Sequence, residues 1–207
     1  MVLYPNLTRL SLALFLGTVF AAPAAADPAG ARAWMTGAGY VPPTSDRMVA
    51  CHGYGCTRRA ALTIDPAWFT AISAVMRAGR VSPAAERKAL GAAIRLYTAS
   101  VSRQLGGEPD APKSPPSRSG DHGQMDCLDV SANTTSLLLV LKERGLIVHH
   151  DVEGATSRGL FLDGRYPHTT AVISEARGGA AWAIDPWSQA PGGNPEIIPL
   201  ALWKQEG

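Results

Sequence analysis

Apolar residues recur at three-to-four spacing through Leu90, Ile94, Tyr97, Val101 and Leu105, which predicts a helix with one buried face. Ser82 ahead of Pro83 supplies its cap and first residue, and Gly106-Gly107 ends it. Asp65 ahead of Pro66 marks another helix just upstream. A third begins at Cys127, with Asp126 as its cap and Asp129 placed to complement the exposed first-turn amides. Its run Leu137-Leu138-Leu139-Val140-Leu141 is apolar nearly all round, so this helix is expected to be central and buried, with Gly145 closing it. The period then falls to two. Strands are predicted over 147–152, 169–175 and 180–185, the last two forming a hairpin across Ala176-Arg177-Gly178-Gly179. Residues 59–64 read as a short strand, and 160–162 are ambiguous. Residues 27–50, rich in Ala, Gly and Pro, read as an irregular arm.

Between the second and third helices, residues 106–123 shift to Gly, Pro, Ser and charge, the composition of a loop. A loop of that length leading straight to Cys127 is either a substrate-facing lid or a flexible connector. At the start of the chain, Arg9, the apolar run Leu10–Leu16 and Ala24-Ala25-Ala26 have the layout of a secretory signal cleaved after Ala26. The alternative, an uncleaved anchor, needs a longer span of about 20 apolar residues. Residues 27–207 then form one expected domain: a mainly helical part over 27–105, the loop, and a core over 124–207. Removing Arg9 lowers the net charge from +2 to +1, which argues against electrostatic capture of nucleic acid or anionic lipid. A periplasmic or secreted location follows, with no membrane span after cleavage.

Composition changes the picture at the cysteines. In an oxidising compartment Cys51 and Cys56, separated by His52-Gly53-Tyr54-Gly55, make a plausible local disulfide. Cys127 is left as an odd thiol, either a nucleophile or an inert buried residue. Downstream lie His168 at the start of one hairpin strand and Asp185 at the end of the other. If Glu175 pairs with Ala180, Thr170 lies opposite Asp185, and His168 and Asp185 share one face at one end of the hairpin. A one-residue change in the loop would separate them.

These three residues then suit nucleophile, base and orienter. A helix start and a neighbouring imidazolium favour the thiolate, and Asp185 would fix the imidazole tautomer. The Cys127 amide and the Gln124 side chain are candidate oxyanion donors. His122 is a competing base, near Cys127 in sequence but in a glycine-flanked stretch. His149 and His150, adjacent on a strand, point to opposite faces and do not suggest a shared metal ion. No metal or organic cofactor is required. Tyr166, Trp187 and Trp203 either border a groove or pack in the core.

Cys127, His168 and Asp185, separated by 41 and 17 positions, together with Trp182-Ala183-Ile184-Asp185-Pro186, resemble the core of the transglutaminase-like fold, within the wider papain-like group. The pattern is similar to exported bacterial transglutaminase-like cysteine peptidases and covers roughly residues 120–190. The resemblance implies an α+β fold with the cysteine helix packed on an antiparallel sheet carrying His168 and Asp185. It also implies thiol-dependent hydrolysis of an amide or peptide, with a peptide or protein of the cell envelope as substrate. Acyl transfer to an amine, and a non-catalytic envelope binding module on the same fold, remain as alternatives.

Overall fold

The computed structural model describes residues 28–159, 167–176 and 179–206. The ambiguous segment 160–162, Tyr166 and the expected signal segment lie outside them. Helix α1 (Pro28–Gly37) is followed by a two-stranded antiparallel hairpin, β1 (Met48–His52) and β2 (Arg58–Leu62). Then come α2 (Pro66–Ala78), α3 (Pro83–Leu105), α4 (Cys127–Glu143), β3 (His150–Arg158), β4 (His168–Glu175), β5 (Ala181–Asp185), β6 (Glu196–Pro199) and the one-turn α5 (Leu200–Trp203). Strands β3 to β6 form an antiparallel sheet in sequence order. The fold is therefore α+β with antiparallel sheets.

The caps act as the side-chain chemistry requires. Asp65 accepts from the Ala67 amide, Ser82 from Ala85, and Asp126 from Asp129, so each helix start has an orphan donor satisfied. Gly106 and Gly145, both at positive φ, follow the ends of α3 and α4. Helix α4 packs against β1, β3 and β4 and is buried from Ser131 to Leu141. Polar residues inside it find partners across the core: Asn133 accepts from the Cys51 amide at 2.7 Å and donates to the Cys51 carbonyl at 2.8 Å. The side-chain amide thus completes the backbone bonding of β1 and fixes that strand to the helix.

The arm expected to be irregular over 27–50 contains α1 and most of β1. The reason is tertiary: Ala31, Met35, Met48 and Ala50 are buried in the common core, a contribution that a stretch with weak periodicity does not advertise. The α1 residue Trp34 packs so closely on β3 that a Cβ at Gly154 would lie 3.0 Å from Trp34 Cβ. The strand expected from 147 begins instead at His150. The Val148 and His149 amides are taken by the buried carboxylate of Glu86, at 2.7 and 3.0 Å, and are diverted from a ladder.

The central hairpin has the expected register. Glu175 N donates to Ala180 O at 2.9 Å, and Ala171 pairs with Ile184. This alternation carries His168 and Asp185 to the same end and face of the sheet.

Candidate functional site

Cys127 is the first residue of α4 and carries a free thiol. Asp126 turns its side chain back into the helix start, accepting from the Asp129 amide at 2.9 Å through Oδ1 and from the Gly55 amide at 3.1 Å through Oδ2. The Thr169 amide, on the residue following His168, acts on the thiol in the direction that favours its thiolate. Burial pushes the thiol up, and the Asp126 and Asp185 charges push in the same direction, against the pull of the Thr169 and Cys127 amides. Burial and the two carboxylates thus work against the thiolate that the helix start favours.

Asp126→Asn keeps the cap but removes one of the charges opposing the thiolate. The expected result is a lower thiol pKa, read as an alkylation profile displaced toward acid; an unchanged profile would contradict this electrostatic account.

His168 and Asp185 are both buried, at 6% and 5% exposure. Their Nε2···Oδ2 separation is 2.5 Å. Since the ionised carboxylate only accepts, Nε2 carries the proton and the lone pair lies on Nδ1. That Nδ1 is buried and has no hydrogen-bond partner among the described residues. Asp185 is further held by the Trp187 amide at 3.2 Å to Oδ1 and by the Trp203 indole N–H at 3.0 Å to Oδ2. The imidazole contacts both indole rings, with centroids 4.6 Å from Trp187 and 5.5 Å from Trp203.

A cleft of about 460 Å³ opens over Cys127. Pro167, Thr169 and Trp187 line it from the sheet side, and Tyr54, Ser114 and Pro116 from the other. The 106–123 segment is therefore a wall of the cleft. Its anchor is Gln124, which is fully buried. Gln124 Oε1 accepts from the Ala111 amide and the Ser114 hydroxyl, and its Nε2 donates to the Glu108 and Pro109 carbonyls. These bonds occupy the amide group that sequence reasoning offered as an oxyanion donor. Gln124 braces the loop instead, because a long loop entering a core must satisfy its backbone somewhere. The Tyr54 hydroxyl adds a bond to the Pro115 carbonyl at 2.5 Å.

The second wall rests on the Cys51–Cys56 disulfide, which is formed. Within its loop Gly53, Tyr54, Gly55 and Cys56 all have positive φ, between 59° and 82°. For Tyr54 and Cys56 this conformation costs roughly 1–2 kcal/mol each. It turns successive amides toward the start of α4, where Tyr54 N and Cys56 N donate to Asp129 at 2.8 and 2.6 Å. The result is an amide nest filled by a carboxylate of the protein itself. Burial, with Asp126 close by, pushes the Asp129 carboxyl up to about 7. This coupling between the disulfide loop and the Cys127 helix was missed from sequence; the Gly-Tyr-Gly spacing hints at the turn but not at its partner. The sulfurs and Asp129 are the one grouping of possible metal ligands among the described residues, and both sulfurs are joined to each other.

His122 donates from Nε2 to the Leu105 carbonyl at 2.8 Å and packs edge-on against His52, so it braces the loop base and does not line the cleft. The His149 ring meets the Arg80 carbonyl and the His150 ring meets Glu86, so the two imidazoles have different partners, although His149 lies just ahead of the strand. No helix among the described residues is long and apolar enough to cross a membrane. Comparisons of the chain with protein-family models, with curated proteins and with solved structures return no match.

Proposed function

We propose that the chain is a thiol-dependent amide or peptide hydrolase of transglutaminase-like type, working through Cys127, His168 and Asp185. The observation that carries this reading is the buried His168–Asp185 pair, whose unpartnered Nδ1 belongs to the strand that lines the Cys127 cleft through Thr169. A core histidine with only a structural task would be expected to use both ring nitrogens, as His150 does.

The chemistry runs as follows. His168 Nδ1 takes the thiol proton as Sγ attacks the substrate carbonyl, and the imidazolium is held by Asp185. The amide of Cys127, unpaired within the helix at its first position, faces the developing oxyanion. The imidazolium then gives its proton to the leaving nitrogen as the C–N bond breaks, leaving a thioester on Cys127. Water, deprotonated by His168, attacks the thioester, and the thiolate leaves and is reprotonated. No metal or organic group takes part in these steps.

The disulfide is consistent with an oxidising compartment, which supports a periplasmic or secreted site of action on peptides or proteins of the envelope. The test is acylation by an activated ester, p-nitrophenyl acetate, followed by mass spectrometry. The reading predicts burst release of nitrophenolate and a single acetyl adduct on Cys127, absent from Cys127→Ala. An adduct rate no greater than that of a free cysteine peptide would sink it.

A further inference from the structure

We infer that Trp203 is a positioning residue for the candidate triad, an inference that rests on the reading of His168 as the base. The indole sits on α5, beyond the sheet, and is completely buried. Its N–H shares Asp185 Oδ2 with His168 Nε2, at 3.0 and 2.5 Å. Oδ1 is held separately by the Trp187 amide. A carboxylate pinned at both oxygens has one orientation, and that orientation presents Oδ2 to the imidazole. Rotation of the carboxylate would break the Trp203 bond, a charge-assisted one between buried groups.

The ring has a second task. It lies 5.5 Å from the imidazole, which Trp187 also contacts at 4.6 Å, so the cation formed when His168 takes the thiol proton meets aromatic surface. Trp203 is itself held in place. The Arg158 guanidinium lies 4.3 Å from its ring centroid, donates to the Trp203 carbonyl, and pairs with Glu206 at 3.1 Å. The end of β3 therefore steadies the indole that steadies Asp185. Sequence order hides this arrangement, because Trp203 lies outside the 120–190 span of the recognised pattern.

The test is Trp203→Phe, which keeps an aromatic ring and removes the N–H donor together with part of the indole's volume. It is read by the His168 Nε2 proton resonance and by ester hydrolysis. In the wild type the hydrogen bond to Asp185 should give a resolved downfield signal protected from water exchange. In W203F that signal should broaden through exchange, and kcat should fall roughly tenfold with KM unchanged, the effect of losing one hydrogen bond to a charged group. Should W203F fail to fold, Arg158→Gln loosens the same indole and should produce the same changes at smaller amplitude. A lowered melting temperature with both resonance and kcat unchanged would overturn the inference and leave Trp203 a packing residue. A broadened signal with unchanged kcat would instead uphold the positioning of Asp185 and refute the role of His168 in turnover.

Discussion

Replacing His168 with alanine should lower kcat/KM by about a thousandfold or more, an effect comparable to losing Cys127 itself. The size follows from the electrostatics of the thiol. Burial and two nearby carboxylates oppose its ionisation. Without Nδ1 there is no positioned acceptor for the proton. The fold should survive the change, since Asp185 keeps its bonds from the Trp203 indole and the Trp187 amide and is not left unpaired. Removing the ring leaves a cavity beside the Trp187 and Trp203 indoles, at a cost of about 2–4 kcal/mol. Hydrolysis kinetics beside circular dichroism and thermal unfolding would separate lost chemistry from lost structure. Asp185→Ala should cost less activity than either, because Asp185 orients and does not react.

Glu86→Ala should have the opposite signature, a large loss of stability with the site's chemistry intact. Glu86 is fully buried and does not line the cleft. Its oxygens accept from the Val148 and His149 amides and from His150 Nδ1, while Arg87 donates to His150 Nε2 and to Glu175. Truncation orphans the buried His150 ring donor and the part-buried Val148 and His149 amides and uncouples α3 from the start of β3, costing about 3–5 kcal/mol. Burial alone would raise this carboxyl, but the bonds from His150, Val148 and His149 hold it below its ordinary 4.5. A depressed folded value contributes stability that is present above the unfolded value and is lost as pH falls through the folded one. Urea unfolding across pH 3–7 should therefore show a weaker acid-dependent loss in E86A than in the wild type. A midpoint unchanged at pH 7 would remove Glu86 from the account of the fold.

The parts of this architecture that were legible in the sequence are those set by local rules. Asp65, Ser82 and Asp126 cap helices because a short side-chain oxygen before an apolar run has few other uses. The hairpin register followed from a four-residue loop and strict alternation, and that register alone brings His168 to Asp185. What escaped was set by distant partners. Glu86, 62 positions from Val148, shortens the start of β3. Gln124 looked like a free amide beside a nucleophile, yet four bonds to the preceding loop consume it. The helix start suggested a thiolate, but only the packed structure reveals the burial and the Asp185 charge that oppose it. Trp203 carried no motif at all.

The most direct measurement is the pH dependence of iodoacetamide alkylation at Cys127, with the Cys51–Cys56 disulfide intact, in the wild type and in His168→Ala. The account predicts that the wild type labels at neutral pH at least about tenfold faster than the variant. It also predicts that the variant reaches comparable rates only above the ordinary thiol range of about 8.5. Superimposable profiles would show that His168 does not accept the Cys127 proton, and the triad would fall with that result.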